Sequence, residues 1–168
     1  VQPIPVGGAV VAHCAGALTL DVLAPHARRA SLHPLVAVPR GSAGPAALRG
    51  AWMALAGDPL VEALASALGA QTFRVADEHR VAYHASAAIA ANHLVALLGQ
   101  AERVAGGAGV PTEAIMSLAE GALAGAARVG TAEALTGPVA RGDWPTVAAH
   151  LAALAPDERP AYAALARQ

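Results

Sequence analysis

A chain of 168 residues with 55% hydrophobic and 14% charged residues, and a formal net charge of −1, has room for one domain or two small ones. That balance leaves no electrostatic footprint for nucleic acid or an anionic membrane. All 11 basic residues are arginine, which excludes a lysine Schiff base or lysine general acid in this chain. The one cysteine, Cys14, excludes an internal disulfide and points to a reducing, cytoplasmic setting. The opening residues show no charged region leading into an apolar run, so no signal peptide is expected. The apolar excess is largely alanine, a strong helix former. A chain so poor in charge is expected to hide further surface in an oligomer.

In chain order, the stretch up to Ala76 mixes short apolar runs with turns. Four strands are predicted: Val10–His13, Ser31–His33 stopped by Pro34, Trp52–Ala56 ended by Gly57-Asp58, and Gln71–Val75. A short helix is expected from about Thr19. A clearer one runs from Pro59 to Leu68, with Asp58 as its cap and Gly69 as its stop. Residues 40–45 read as a mobile surface loop.

After Ala76 the pattern turns helical. Asp77 caps a long helix from about His79 to Val104, halted by Gly106-Gly107. A second helix runs from Thr112 to about Gly125, and Thr131–Leu135 forms a short turn. Thr136-Gly137-Pro138 breaks the chain. Asp143 caps a helix through Leu154, and a last helix spans about Asp157–Ala166. Period-2 segments give way to period-3.6 segments near Asp77, so an α/β part is expected over 1–76 and an all-α part over 77–168. Val81–Leu98 is apolar but carries His84, Asn92 and His93 and falls short of the ~20 strongly apolar residues of a membrane span. It reads as a helix buried nearly all round.

The α/β part is too short for a complete doubly wound domain. No G-x-G-x-x-G follows a strand, and Gly106, Gly107 and Gly109 follow a helix. A complete domain would need that segment ahead of Val1.

Three stretches carry a resemblance: His13-Cys-Ala-Gly16 with Ser31-Leu-His33-Pro34; Tyr83-His84 through Asn92; and Leu135-Thr-Gly-Pro138 through Arg141-Gly-Asp143, then Thr146-Val147 and His150. Together they resemble a Rossmann-like oxidoreductase family whose C-terminal half is a helical domain of unknown function (the DUF2520 type). That family lies in the superfamily of the 6-phosphogluconate dehydrogenase C-terminal domain. It is similar in plan to pyrroline-5-carboxylate reductase, ketopantoate reductase and prephenate dehydrogenase. The resemblance implies that 1–76 is the last part of a nucleotide-binding domain and that 77–168 is a helical domain forming a homodimer and closing the site. It implies NADP or NAD as cofactor, bound mainly by a segment absent from this chain, and a small-molecule substrate. Many β-hydroxyacid dehydrogenases place a catalytic lysine one turn before an asparagine on the long helix. Here that position is Ala88, four before Asn92.

Hydride transfer needs a donor for developing negative charge and a proton source. His84 and Asn92, two turns apart on roughly one side of a helix, suit a proton donor and a holder of a substrate oxygen. They suit equally well two polar groups satisfied by neighbouring helices. His13, Gly16, His33 and Pro34 follow strands, where open α/β sheets bind ligands, so they are candidate cofactor contacts. The histidines could equally cap strand ends. Arg141 is a candidate carboxylate clamp. Thr136, Asp143 and His150 are candidate substrate contacts, with helix capping the favoured role of Asp143. Nothing marks Cys14 as an activated thiol. The 7 histidines lack ligand spacing, so no metal is expected. The reading is therefore part of an NAD(P)-dependent reductase of a small keto- or imino-acid, for example a short 2-keto acid. The alternative is a non-catalytic dimerisation or binding module that kept the fold.

Overall fold

The computed structural model describes residues 7–38 and 45–167. The loop expected at 40–45 lies, apart from Pro45, outside the described residues. Two compact units are present, Val1–His93 and Leu94–Gln168.

The first unit is built on a four-stranded sheet: β1 (Val11–His13), β2 (Arg29–Pro34), β3 (Trp52–Gly57) and β4 (Gln71–Arg74), in that spatial order. All four strands stand where the short apolar runs placed them, although β2 begins two residues earlier than expected and takes in Pro34 rather than stopping before it. The sheet is mixed: β1 runs parallel to β2, β2 antiparallel to β3, and β3 parallel to β4. The parallel β3–β4 pair is joined through helix α1 (Leu60–Ala67), the usual crossover. A 3₁₀ turn, Leu20–Leu23, stands where a short helix was expected.

Met53, Ala54, Leu55 and Ala56 of β3 are all buried, as a strand covered on both faces requires. α1 lays Val61 and Ala65, one turn apart, onto Ala30, Met53 and Leu55. Asp58 starts that helix: its Oδ1 accepts from Leu60 N at 3.0 Å, while Oδ2 takes the Arg28 guanidinium at 2.8 Å. Gly57 sits at φ 80°, and a Cβ there would collide with the Arg29 carbonyl, so only glycine lets β3 close against β2.

Helix follows strand at Asp77–His79, where the change of period placed it. α2 (Arg80–Ala88) belongs to the first compact unit, because its buried Arg80 reaches back to the sheet. It continues into a π-helical turn, Ile89–His93, that no periodicity announced.

The second unit holds α3 (Leu94–Gly107), α4 (Thr112–Val129), the short α5 (Thr131–Ala134), α6 (Trp144–Ala153) and α7 (Arg159–Leu165). Gln100 Nε2 donates to the Glu158 carbonyl at 2.8 Å, and Arg103 Nε pairs with Glu158 Oε1 at 2.6 Å; these bonds tie α3 to the start of α7.

The helical stretch 77–107 corrects the expectation of a helix buried all round. None of its most apolar window is buried within the chain, and Val81, Ile89, Val95, Leu97 and Val104 are exposed. With a mean hydropathy of 1.4 over that window it is long and apolar enough to cross a membrane, where the sequence reading put it short. α4 buries no residue and exposes Leu118 and Leu123.

Candidate active site

β1 and β2 are parallel, so their carboxyl ends share one edge of the sheet, with His13 opposite Ser31 and His33 two residues further along. α2 crosses this edge. The result is a cleft of about 430 Å³ lined by His33, Pro34 and Leu35 from the strand end, Tyr83 and His84 from α2, and Ala88 and Asn92 further along the helix. Its size is that of a small-molecule site. Asn92 stands on the π turn, a distortion that recurs at functional sites. Ala88, four residues before Asn92, lines the same cleft, so no ammonium enters it from that position.

Within the cleft, His33 Nδ1 and the Tyr83 hydroxyl are hydrogen-bonded at 2.6 Å, with the rings edge-on. His84 also stands edge-on to His33, with ring centroids 6.1 Å apart. On the other side Phe73 packs against Tyr83 and Trp52 against Phe73. Burial holds the His33 imidazole below its ordinary pKa, helped by His84 and Arg80, which favours the neutral ring. Burial pushes the Tyr83 phenol up, and the Arg80 cation opposes that rise.

Beneath these rings lies Arg80, fully buried. Its Nη2 donates to the Ala15 carbonyl at 2.7 Å and to Ser31 Oγ at 2.9 Å. Among the described residues its Nε and Nη1 have no partner, and no carboxylate lies within 4.0 Å to pair with it. A cation held this way costs several kcal/mol of desolvation unless its field is used.

The candidate cofactor contacts separate. His33 and Pro34 face the cleft. Gly16 is buried, and a Cβ on it would run into both the His84 ring and the His33 ring, so its missing side chain makes room for two imidazoles rather than for a ligand. His13 is half-buried; its Nδ1 accepts from Ala15 N at 3.2 Å, and its Nε2 is buried without a partner among the described residues. Cys14 is exposed and free. The strand-end edge, with proline, leucine and alanines around a few polar groups, fits a flat and largely apolar nicotinamide ring.

The candidate substrate contacts all lie in the second unit. Thr136 and His150 line a cleft of about 380 Å³ with Pro138, Tyr162 and Leu165. His150 Nδ1 and the Tyr162 hydroxyl are hydrogen-bonded at 2.8 Å. Arg141 is exposed on the turn before α6. Asp143 caps α6: Oδ1 accepts from Thr146 N at 3.3 Å and Oδ2 from Thr146 Oγ1 at 2.7 Å, which holds its carboxyl below the usual range. Replacing Asp143 with alanine is expected to lower stability by about 1 kcal/mol, read by urea unfolding. A change below a few tenths of that would show the cap to be idle. Among the described residues no three His, Cys, Asp or Glu side chains gather into a metal-sized group.

Tyr83 and Arg80 received no role from the sequence. Tyr83 adjoins His84 in an alanine-rich helix, and Arg80 is the only arginine between Arg74 and Arg103; those are the signals that could have pointed to them.

Comparison with known proteins comes to the same plan. A putative NADP oxidoreductase from Bacteroides fragilis superposes with a TM-score of 0.81 at 19% identity, over 93% of this chain and 62% of its own. A Thermotoga maritima protein superposes at 0.78 and 27% identity, over 94% and 66%. The chain thus spans less than two thirds of either. No curated protein matches it. The profile of the domain of unknown function DUF2520 matches residues 54–168, from mid-β3 to the last residue, and the chain belongs to that family.

Proposed function

We propose that this chain is the substrate-side part of an NAD(P)-dependent oxidoreductase that reduces a small keto- or imino-acid in the cytoplasm. One observation carries the reading: the strand-end His33 meets His84 and Asn92 in one cleft of small-molecule size. The likeness in fold to a protein described as an NADP oxidoreductase supports it.

When bound, the nicotinamide supplies the hydride. Pro34 and His33 would face its ring, and most of its binding energy would come from residues outside this chain. Asn92 offers an amide to orient a substrate oxygen. His84 offers a second imidazole in the same cleft, beside His33, to position the substrate. The exposed apolar faces of α3 and α4 suit a homodimer, which would bury what a single chain leaves open.

The test is turnover by the full-length protein, followed as loss of NADPH or NADH absorbance with short 2-oxo acids and cyclic imino acids. His84→Ala and Asn92→Ala are expected each to cost about 10²-fold or more in kcat while the dimer persists. Normal dimers that bind neither nicotinamide cofactor would instead establish the non-catalytic module. That second reading is favoured by Ala88 standing where the lysine of other dehydrogenases would be.

A further inference from the structure

We propose that Tyr83 is the residue that protonates the substrate oxygen, with His33 as its proton relay and the buried Arg80 as the fixed charge that biases both. This rests on the reductase reading and deepens it by naming the proton path. Tyr83 lines the cleft and its hydroxyl is bonded at 2.6 Å to His33 Nδ1, which among the described residues is the one ring nitrogen of the cleft engaged by another side chain. His33 is packed edge-on between Tyr83 and His84 and backed by Gly16, so its ring is held in place. The tautomer required has the proton on Nδ1, donating to the phenol oxygen and leaving the phenol O–H free to face the cleft. Arg80, with no carboxylate to neutralise it, favours phenolate over phenol and neutral over protonated imidazole. An arginine buried without a counter-ion thereby acquires a purpose that packing does not give it.

The step balances as follows. A C–H bond forms at the carbonyl or imine carbon with hydride from a dihydronicotinamide, and the π pair moves to oxygen or nitrogen. The Tyr83 O–H bond breaks as the new O–H or N–H bond forms. As the phenolate takes the Nδ1 proton of His33, Nε2 of the same ring accepts one from water, so the imidazole stays neutral and only changes tautomer, and solvent neutralises the hydroxide left behind. The substrate is reduced and the dihydronicotinamide oxidised. Tyr83 thus supplies the proton that a lysine cannot supply from Ala88.

The experiment compares full-length wild type with Tyr83→Phe, which removes one oxygen from a ring that Phe73 and His33 keep packed. Two readouts are taken. The first is NADPH oxidation with pyruvate, 2-oxoisovalerate, ketopantoate and pyrroline-2-carboxylate. The second is the imidazole ¹⁵N spectrum of His33, titrated with its neighbours Tyr83, His84 and Arg80 in view. Tyr83→Phe is expected to lower kcat about 10²- to 10⁴-fold, with KM and NADPH affinity within threefold, and to shift the His33 Nδ1 resonance. A kcat within threefold of wild type overturns the relay and leaves the reductase standing. Wild type that neither binds NADPH nor oxidises it overturns both. If wild type binds NADPH but turns over none of the four compounds, the spectrum decides. A His33 resonance indifferent to Tyr83→Phe overturns the relay, and one that moves sustains it.

Discussion

Arg80→Ala is expected to lower the unfolding free energy by about 2–5 kcal/mol, the range for deleting a large buried side chain. Two losses add. A cavity opens beneath α2, and the Ala15 carbonyl and Ser31 hydroxyl lose their donor at 2.7 and 2.9 Å. Arg80→Met separates packing from charge. It refills most of the volume and removes an uncompensated cation, so it should cost well under half as much. It should also let the His33 pKa rise toward its ordinary value of 6.5, because one of the charges lowering it is gone. The sign is fixed by linkage. His33 has a lower pKa folded than unfolded, so the unfolded chain binds more protons and wild type loses stability as pH falls below 6.5. In Arg80→Met that acid loss should shrink. Urea unfolding of both variants at pH 7.5 and pH 5 measures it. Arg80→Ala within about 0.5 kcal/mol of wild type would mean that the buried guanidinium contributes nothing to the fold.

Gly16→Ala is the second large effect, and it should fall on the site more than on the fold. The new methyl would clash with His84 Cδ2 and lie 3.0 Å from His33 Cε1 and Nε2. Both are ring atoms of side chains that border an open cleft, so the imidazoles can swing outward while the backbone holds. Overpacking of this kind costs about 1–3 kcal/mol. The consequence for chemistry is greater, since displacing His33 breaks its bond to Tyr83 and misplaces His84 together. On the proposed reductase reading, NADPH-dependent turnover is expected to drop at least tenfold, and both imidazole ¹⁵N signals should move. Gly121→Ala is the control: a Cβ there, on α4, meets nothing within 4 Å. A Gly16→Ala protein with unmoved His33 and His84 signals would show that the rings tolerate the methyl.

Much of the architecture was readable before any coordinates. Short apolar runs marked all four strands, Asp58 and Asp143 marked two helix starts, and Gly57 and Gly69 marked ends; each depends on residues adjacent in the chain. The antiparallel step between β2 and β3 was not readable. A strand's pattern records how deeply it is buried, not which way its neighbour runs. The exposure of the 77–107 stretch was also misjudged, because an alanine-rich apolar helix looks the same whether it is covered by its own chain or left open.

The site divides along the same line. His33, His84 and Asn92 could be named from residue type and position, since polar groups at a strand end or on an apolar helix are few. Their convergence could not, and neither could the roles of Tyr83 and Arg80. By itself the sequence determined the local elements, the lack of lysine within this chain and the family plan. Only the tertiary structure decided that Tyr83 would bond His33 across 50 residues, that Arg80 would lie unpaired beneath them, and that Gly16 would yield its side-chain space to two imidazoles. Local propensity reports on neighbours within a few residues, whereas a catalytic arrangement is a set of distances between elements, set by how the sheet and α2 pack.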